Sequence, residues 1–155
     1  MNDRKVYGRA LGFMVFVGVL SLGCITDGFL PDANVAVTGQ VRGESFTGLG
    51  GVAEGADGRY FLTLVDSADF DCSNTPTSNY LTVSLGQVDG TGEYPAPGNV
   101  SFTSSDGTFG DVEEATSGTV TIDSVDESGN LITGRIDAAG DTSSVSGTFE
   151  LPICN

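Results

Sequence analysis

Over its last third the chain alternates apolar and polar residues with a period of two, and this limits its folds more than any other feature. Val120 and Ile122 interleave with Thr119, Thr121 and Asp123, and Ile132, Gly134 and Ile136 with Leu131, Thr133 and Arg135. Val145, Gly147, Phe149 and Leu151 interleave in turn with Ser146, Thr148 and Glu150. Successive side chains of a strand point to opposite faces, so this pattern reads as half-buried β-strands. Turn-forming stretches at 126–130 (DESGN) and 137–141 (DAAGD) separate them, which predicts an antiparallel meander. Upstream, Val35, Val37, Gly39, Val41 and Gly43 alternate in the same way, and Leu81, Val83 and Leu85 mark another strand. YFLTLV at 60–65, apolar on both faces, reads as a deeply buried strand after an Asp57-Gly58 hairpin turn. Weaker candidates lie at Val52 and at 100–103, and residues 86–98, rich in Gly and Pro, read as a loop.

A short motif recurs on these strands: apolar, Ser or Thr, Gly, any residue, apolar. It stands as VTGQV from 37, ITGRI from 132 and VSGTF from 145, with a looser TSGTV from 116. The unequal intervals rule out a solenoid repeat. Glycine inside a strand marks a bulge, a sharp coil or close approach of another backbone, so the sheet should be strongly curved. The expectation is one all-β domain over 35–155, an antiparallel β-sandwich or small β-barrel of about eight strands.

Catalytic chemistry has little to work with. There is no His, no Lys after Lys5 and no Trp, so the usual base for a Ser or Cys nucleophile is missing, as are histidine metal centres. No residue set meets the geometric roles of a catalytic site, and neither an enzyme nor a cofactor is expected. Asp66, Asp69 and Asp71 are the best metal candidates, since clustered carboxylates on a loop suit Ca²⁺, but their spacing fits no EF-hand. A solvated loop is the simpler reading. Asp123, Asp126 and Glu127 read as a hairpin tip.

The N-terminal segment carries an address. Arg4, Lys5 and Arg9 precede an uncharged apolar run from Leu11 to Gly23, the layout of a secretory signal. That run reaches only about 20 Å as a helix, short of the roughly 20 residues a spanning helix needs. The run closes on Leu20-Ser21-Leu22-Gly23-Cys24, which resembles the lipobox of bacterial lipoproteins, with Ser21 where that family most often has Leu. The resemblance implies cleavage after residue 23 and a diacylglycerol thioether on Cys24; residues 25–34 (ITDGFLPDAN), with Gly, Pro, two Asp and no periodicity, extend it as a short tether over 24–34. Ile25, in place of the Asp common in lipoproteins retained at the inner membrane, leans toward the outer membrane of a Gram-negative cell. Together with GEYP at 92–95, the glycine motif loosely resembles all-β lipoproteins of Gram-negative bacteria, a likeness that implies a fold and an anchor but no activity.

With Cys24 given to lipid, Cys72 and Cys154 remain. In an oxidising compartment the pair is expected to form a disulfide, with two free thiols or a metal pair as the competing readings, the latter short of ligands without His. Cleavage also leaves three basic side chains, Arg42, Arg59 and Arg135, against twenty acidic ones. A field of that sign repels phosphate backbones, so nucleic acid is not an expected partner. Two function classes follow. One is a non-catalytic envelope protein, structural or interacting with other envelope proteins; the other is a lipocalin-like carrier, which needs a hollow apolar interior of roughly 300 Å³ or more.

Overall fold

The computed structural model describes residues 30–74, 80–104 and 112–154, so residues 1–23, expected to be a signal segment, and Cys24 lie outside the described residues. Eleven strands are described: β1 (Asn34–Val41), β2 (Glu44–Thr47), β3 (Gly50–Ala56), β4 (Arg59–Val65), β5 (Leu81–Val88), β6 (Gly92–Pro95), β7 (Val100–Ser104), β8 (Val112–Glu114), β9 (Ser117–Asp126), β10 (Leu131–Ala139) and β11 (Ser144–Cys154). No helix occurs among the described residues. The all-β expectation holds in that form. The strands form one curled, open sheet, whose longest path runs β6-β9-β10-β11-β3-β4-β5-β7-β8, with β1 beside β11 and β2 beside β1.

The three strands missing from the sequence reading are β2, β6 and β8, of four, four and three residues. Each is too short for alternation to show, and β6 contains Gly92 and Pro95. Arg42-Gly43 turns the chain where alternation alone extended the first strand. Both residues have positive φ (57° and 81°), as do Asp57 and Gly58 (56° and 76°), the geometry of two-residue turns whose twist suits antiparallel strands. The β4 strand departs from expectation in part: Tyr60, Leu62 and Leu64 are buried on one face, but on the other Val65 is buried while Phe61 is 53% exposed.

Among the described residues all strand pairings are antiparallel except one, between the end of β11 and β3, where Ile153 meets Ala53 and Cys154 meets Glu54. The reason lies in β1. It wedges between β11 and β2, running against both; where β1 begins, β11 reaches past it to the strand continuing from β2. Two limbs result, β2-β1-β11-β10-β9-β6 and β3-β4-β5-β7-β8, curled over one core. Val37, Val41, Phe46, Phe149 and Ile132 from the first limb pack in a single cluster with Leu62, Leu64, Val83 and Phe102 from the second. Each such side chain contributes about 1.5–3 kcal/mol by leaving water.

The recurrent glycines are what let the first limb coil. VTGQV and VSGTF lie side by side, Gly39 opposite Val145 and Val37 opposite Gly147. At φ of +152° and +145° both glycines press against the neighbouring backbone. A Cβ on Gly39 would strike the carbonyl oxygen of Ser144, and one on Gly147 that of Ala36. Gly134, from the third copy, sits where the β9–β10 register shifts, the bulge that the motif foretold. Gly147→Ala is therefore expected to lose about 1–3 kcal/mol of stability, measured by urea unfolding. A loss below the error of the method would mean the strands can part without cost.

Candidate functional site

Three segments converge at one end of the curl. Residues 30–33 lead into β1, the β4–β5 connection folds over the start of β3, and the end of β11 meets both. Backbone contact sets this junction: a Cβ on Gly50 would collide with the carbonyl oxygen of Ser67, so the connection lies directly on the strand. Cys72 and Cys154 are bridged here, their Cα atoms 5.4 Å apart and 82 residues apart in sequence. The disulfide reading thus holds, and the free-thiol alternative falls away.

An open cleft of about 640 Å³ lies beside the bridge. Its walls include Leu30, Ala33, Leu49, Phe70, Cys72 and Pro152, with Asp32 and Asp71 also on the lining. Leu49 is 53% exposed. The cleft is outside the buried core, between residues 30–33 and the bridged loop.

The three aspartates singled out for metal binding do different work. Asp66 Oδ1 accepts the Leu81 amide at 2.7 Å, fixing the start of β5. Asp71 Oδ1 accepts the Ser73 and Asn74 amides at 2.7 and 3.0 Å, a turn in which an aspartate caps its own backbone. These backbone and side-chain hydrogen bonds hold the Asp71 carboxyl below its ordinary range. Asp69 is exposed. Among the described residues no three of His, Cys, Asp and Glu are placed to hold a metal ion. At the β9–β10 tip, Asp126 caps its turn through Ser128 Oγ and the Gly129 amide, and Asp123 pairs with Arg135 at 2.9 Å.

A second polar centre, which sequence reading missed, lies at the opposite end of β11. Glu113 of β8 is only 9% exposed. Its Oε1 accepts the amides of Thr142 and Ser143 at 2.7 and 3.1 Å, and its Oε2 accepts their hydroxyls at 2.6 and 2.7 Å. Arg42 Nη1 stands 3.8 Å from Oε2, and the Arg42 amide donates to Ser143 Oγ at 2.8 Å. Burial alone would raise this carboxyl; the four hydrogen bonds outweigh it and hold the group down at about 2. It is a tie between β8, the β10–β11 turn and the β1–β2 turn. A carboxylate so engaged has no free lone pair for acid–base work. The one signal available in the sequence was the run of hydroxyl residues after 137–141, which offers donors without naming their acceptor.

Tyr60 is perturbed in the opposite sense to these carboxylates. It is buried, and its hydroxyl donates to Glu127 Oε1 at 2.9 Å; burial, and then this carboxylate, push the phenol up. The contact pins the β9–β10 tip to β4. Comparison with known proteins returns no matching family model, no similar curated protein and no similar solved structure.

Proposed function

We propose that the chain is a lipid-anchored protein of the cell envelope, held at Cys24 and serving a structural or protein-interaction role without catalysis. The observation that carries this reading is the division of the three cysteines. The bridge joining Cys72 to Cys154 fits an oxidising compartment, and it leaves Cys24, at the end of the apolar run, as the cysteine free for lipid. The outer membrane of a Gram-negative cell is the proposed location and envelope proteins the proposed partners. The limbs of the curl, facing each other across one core, are read as sandwich-like.

The outward surface suits contact. Thr38, Ser146, Asp137 and Thr119 stand in one cross-strand row over β1, β11, β10 and β9, and Thr148, Arg135 and Thr121 form the next. This hydroxyl-rich face offers donors and acceptors over four strands, whereas β2, β6 and β8 are short edges that give an added strand little to pair with. The carrier reading is not adopted, because the cleft is open and stands apart from the core.

Cys24→Ala tests the anchor. Membrane retention of the protein is expected to be lost, and the intact mass of the natural chain is expected to lack residues 1–23 and to carry lipid. Unchanged retention of the variant would defeat the reading.

A further inference from the structure

The two limbs of the sheet share a core, but on the β11 side their backbones are hydrogen-bonded over two register pairs, Ile153 with Ala53 and Cys154 with Glu54. By contrast, β10 and β11 are in register from Leu131–Pro152 to Ala139–Ser144. The short seam carries the disulfide: Cys154 ends the first limb, and Cys72 sits on the β4–β5 connection of the second. Ile153 also donates its amide to Asn130 O at 2.9 Å, and Leu151 and Pro152 still face β10, so the first limb keeps its own strand end without help from β3. Both cysteines are half-buried rather than enclosed, and Cys72 lines the open cleft, which gives a reductant a route to the sulfurs.

We propose that the Cys72–Cys154 bridge is a redox-sensitive clasp on this seam, whose reduction frees the 66–74 loop and the last residues of β11 from β3 and widens the cleft at the tether root, while both limbs stay folded. The step is thiol–disulfide exchange with a dithiol reductant. One reductant thiolate attacks a bridge sulfur and forms a mixed disulfide, the second displaces it, and two electrons and two protons pass to Cys72 and Cys154 as the reductant closes to its own disulfide. At the far end of β11 the Glu113 tie contains no sulfur, so it holds the limbs together in the reduced protein. Tightly packed Leu151, Phe149 and Leu62 remain in the common core. The inference does not depend on lipid at Cys24.

Hydrogen exchange of the full chain, oxidised and after treatment with dithiothreitol, tests it. Reduction is expected to speed exchange at least about tenfold at 50–56, 66–74 and 153–154, leaving 117–126 and 131–139 unchanged, the mark of a local opening. Equal acceleration through β9 and β10 would overturn the proposal, since the bridge would then be holding up the whole fold. No acceleration anywhere would overturn it as well, because packing would be closing the seam unaided. As a second arm, Cys154→Ser is expected to show the reduced pattern without reductant and no further response to it. A continued response would place the redox sensitivity elsewhere and overturn the assignment. Should that variant fail to fold, the natural chain with and without dithiol decides alone.

Discussion

Replacing both Cys72 and Cys154 by alanine is expected to lower the unfolding free energy by about 4 kcal/mol and the melting temperature by roughly 15 °C, with the far-UV β spectrum intact. The bridge spans 82 residues, and a cross-link of that length removes much of the freedom of the unfolded chain. This effect acts through the denatured state, and so it is separate from any local opening of the native seam. Denaturant unfolding of the full chain and of the double alanine variant measures it. A difference under about 1 kcal/mol would show that the alanine chain is already restricted when unfolded, and loss of the β spectrum would show that the core cannot stand without the bridge.

Acid is expected to release the tie at Glu113. Its carboxyl lies at about 2 in the folded protein, against an ordinary 4.5. The folded state therefore favours the ionised form, and the stabilisation is complete above about pH 5 and drains away as the pH falls toward 2. The full shift corresponds to about 3 kcal/mol, which solvent screening at the sheet rim reduces to about 2 kcal/mol. The great excess of carboxylates works the other way, because their mutual repulsion fades on acidification, so the difference between natural chain and variant is the informative quantity. Glu113→Gln is expected to be less stable than the natural chain at pH 7 and nearly equal to it at pH 2. Its amide would set an NH₂ against donors that now meet an oxygen. A constant gap across the titration would mean that the side chain contributes by shape and not by charge.

What sequence revealed and what it hid divide along physical lines. Alternation located β1, β5, β9, β10 and β11, because each is long enough for two or three inward apolar residues to repeat. The glycine motif announced coiling because the requirement is local: at Gly39 and Gly147 the neighbouring backbone leaves no room for a side chain. The bridge was legible by counting cysteines once one was set aside. Glu113 was not legible, since its partners lie 29 and 30 residues away and only the curl brings them together. Phe61 misled for a related reason. An apolar residue on the outer face looks the same in sequence as one on the inner face, and its exposure is decided by the absence of a layer above it. The wedge of β1, and with it the single parallel pairing, depends on the placement of four strands at once.

That wedge also sets how the domain bears load. The chain enters the sheet at Asn34, the first residue of β1, and β1 is an inner strand with seven register pairs to β11 on one side and four to β2 on the other. A pull through the N-terminus runs along the strand axis, so the hydrogen bonds on both flanks are strained together instead of failing one after another as in a peeled edge strand. With the anchor proposed at Cys24, load would thus enter the domain at the place where the sheet resists shear best.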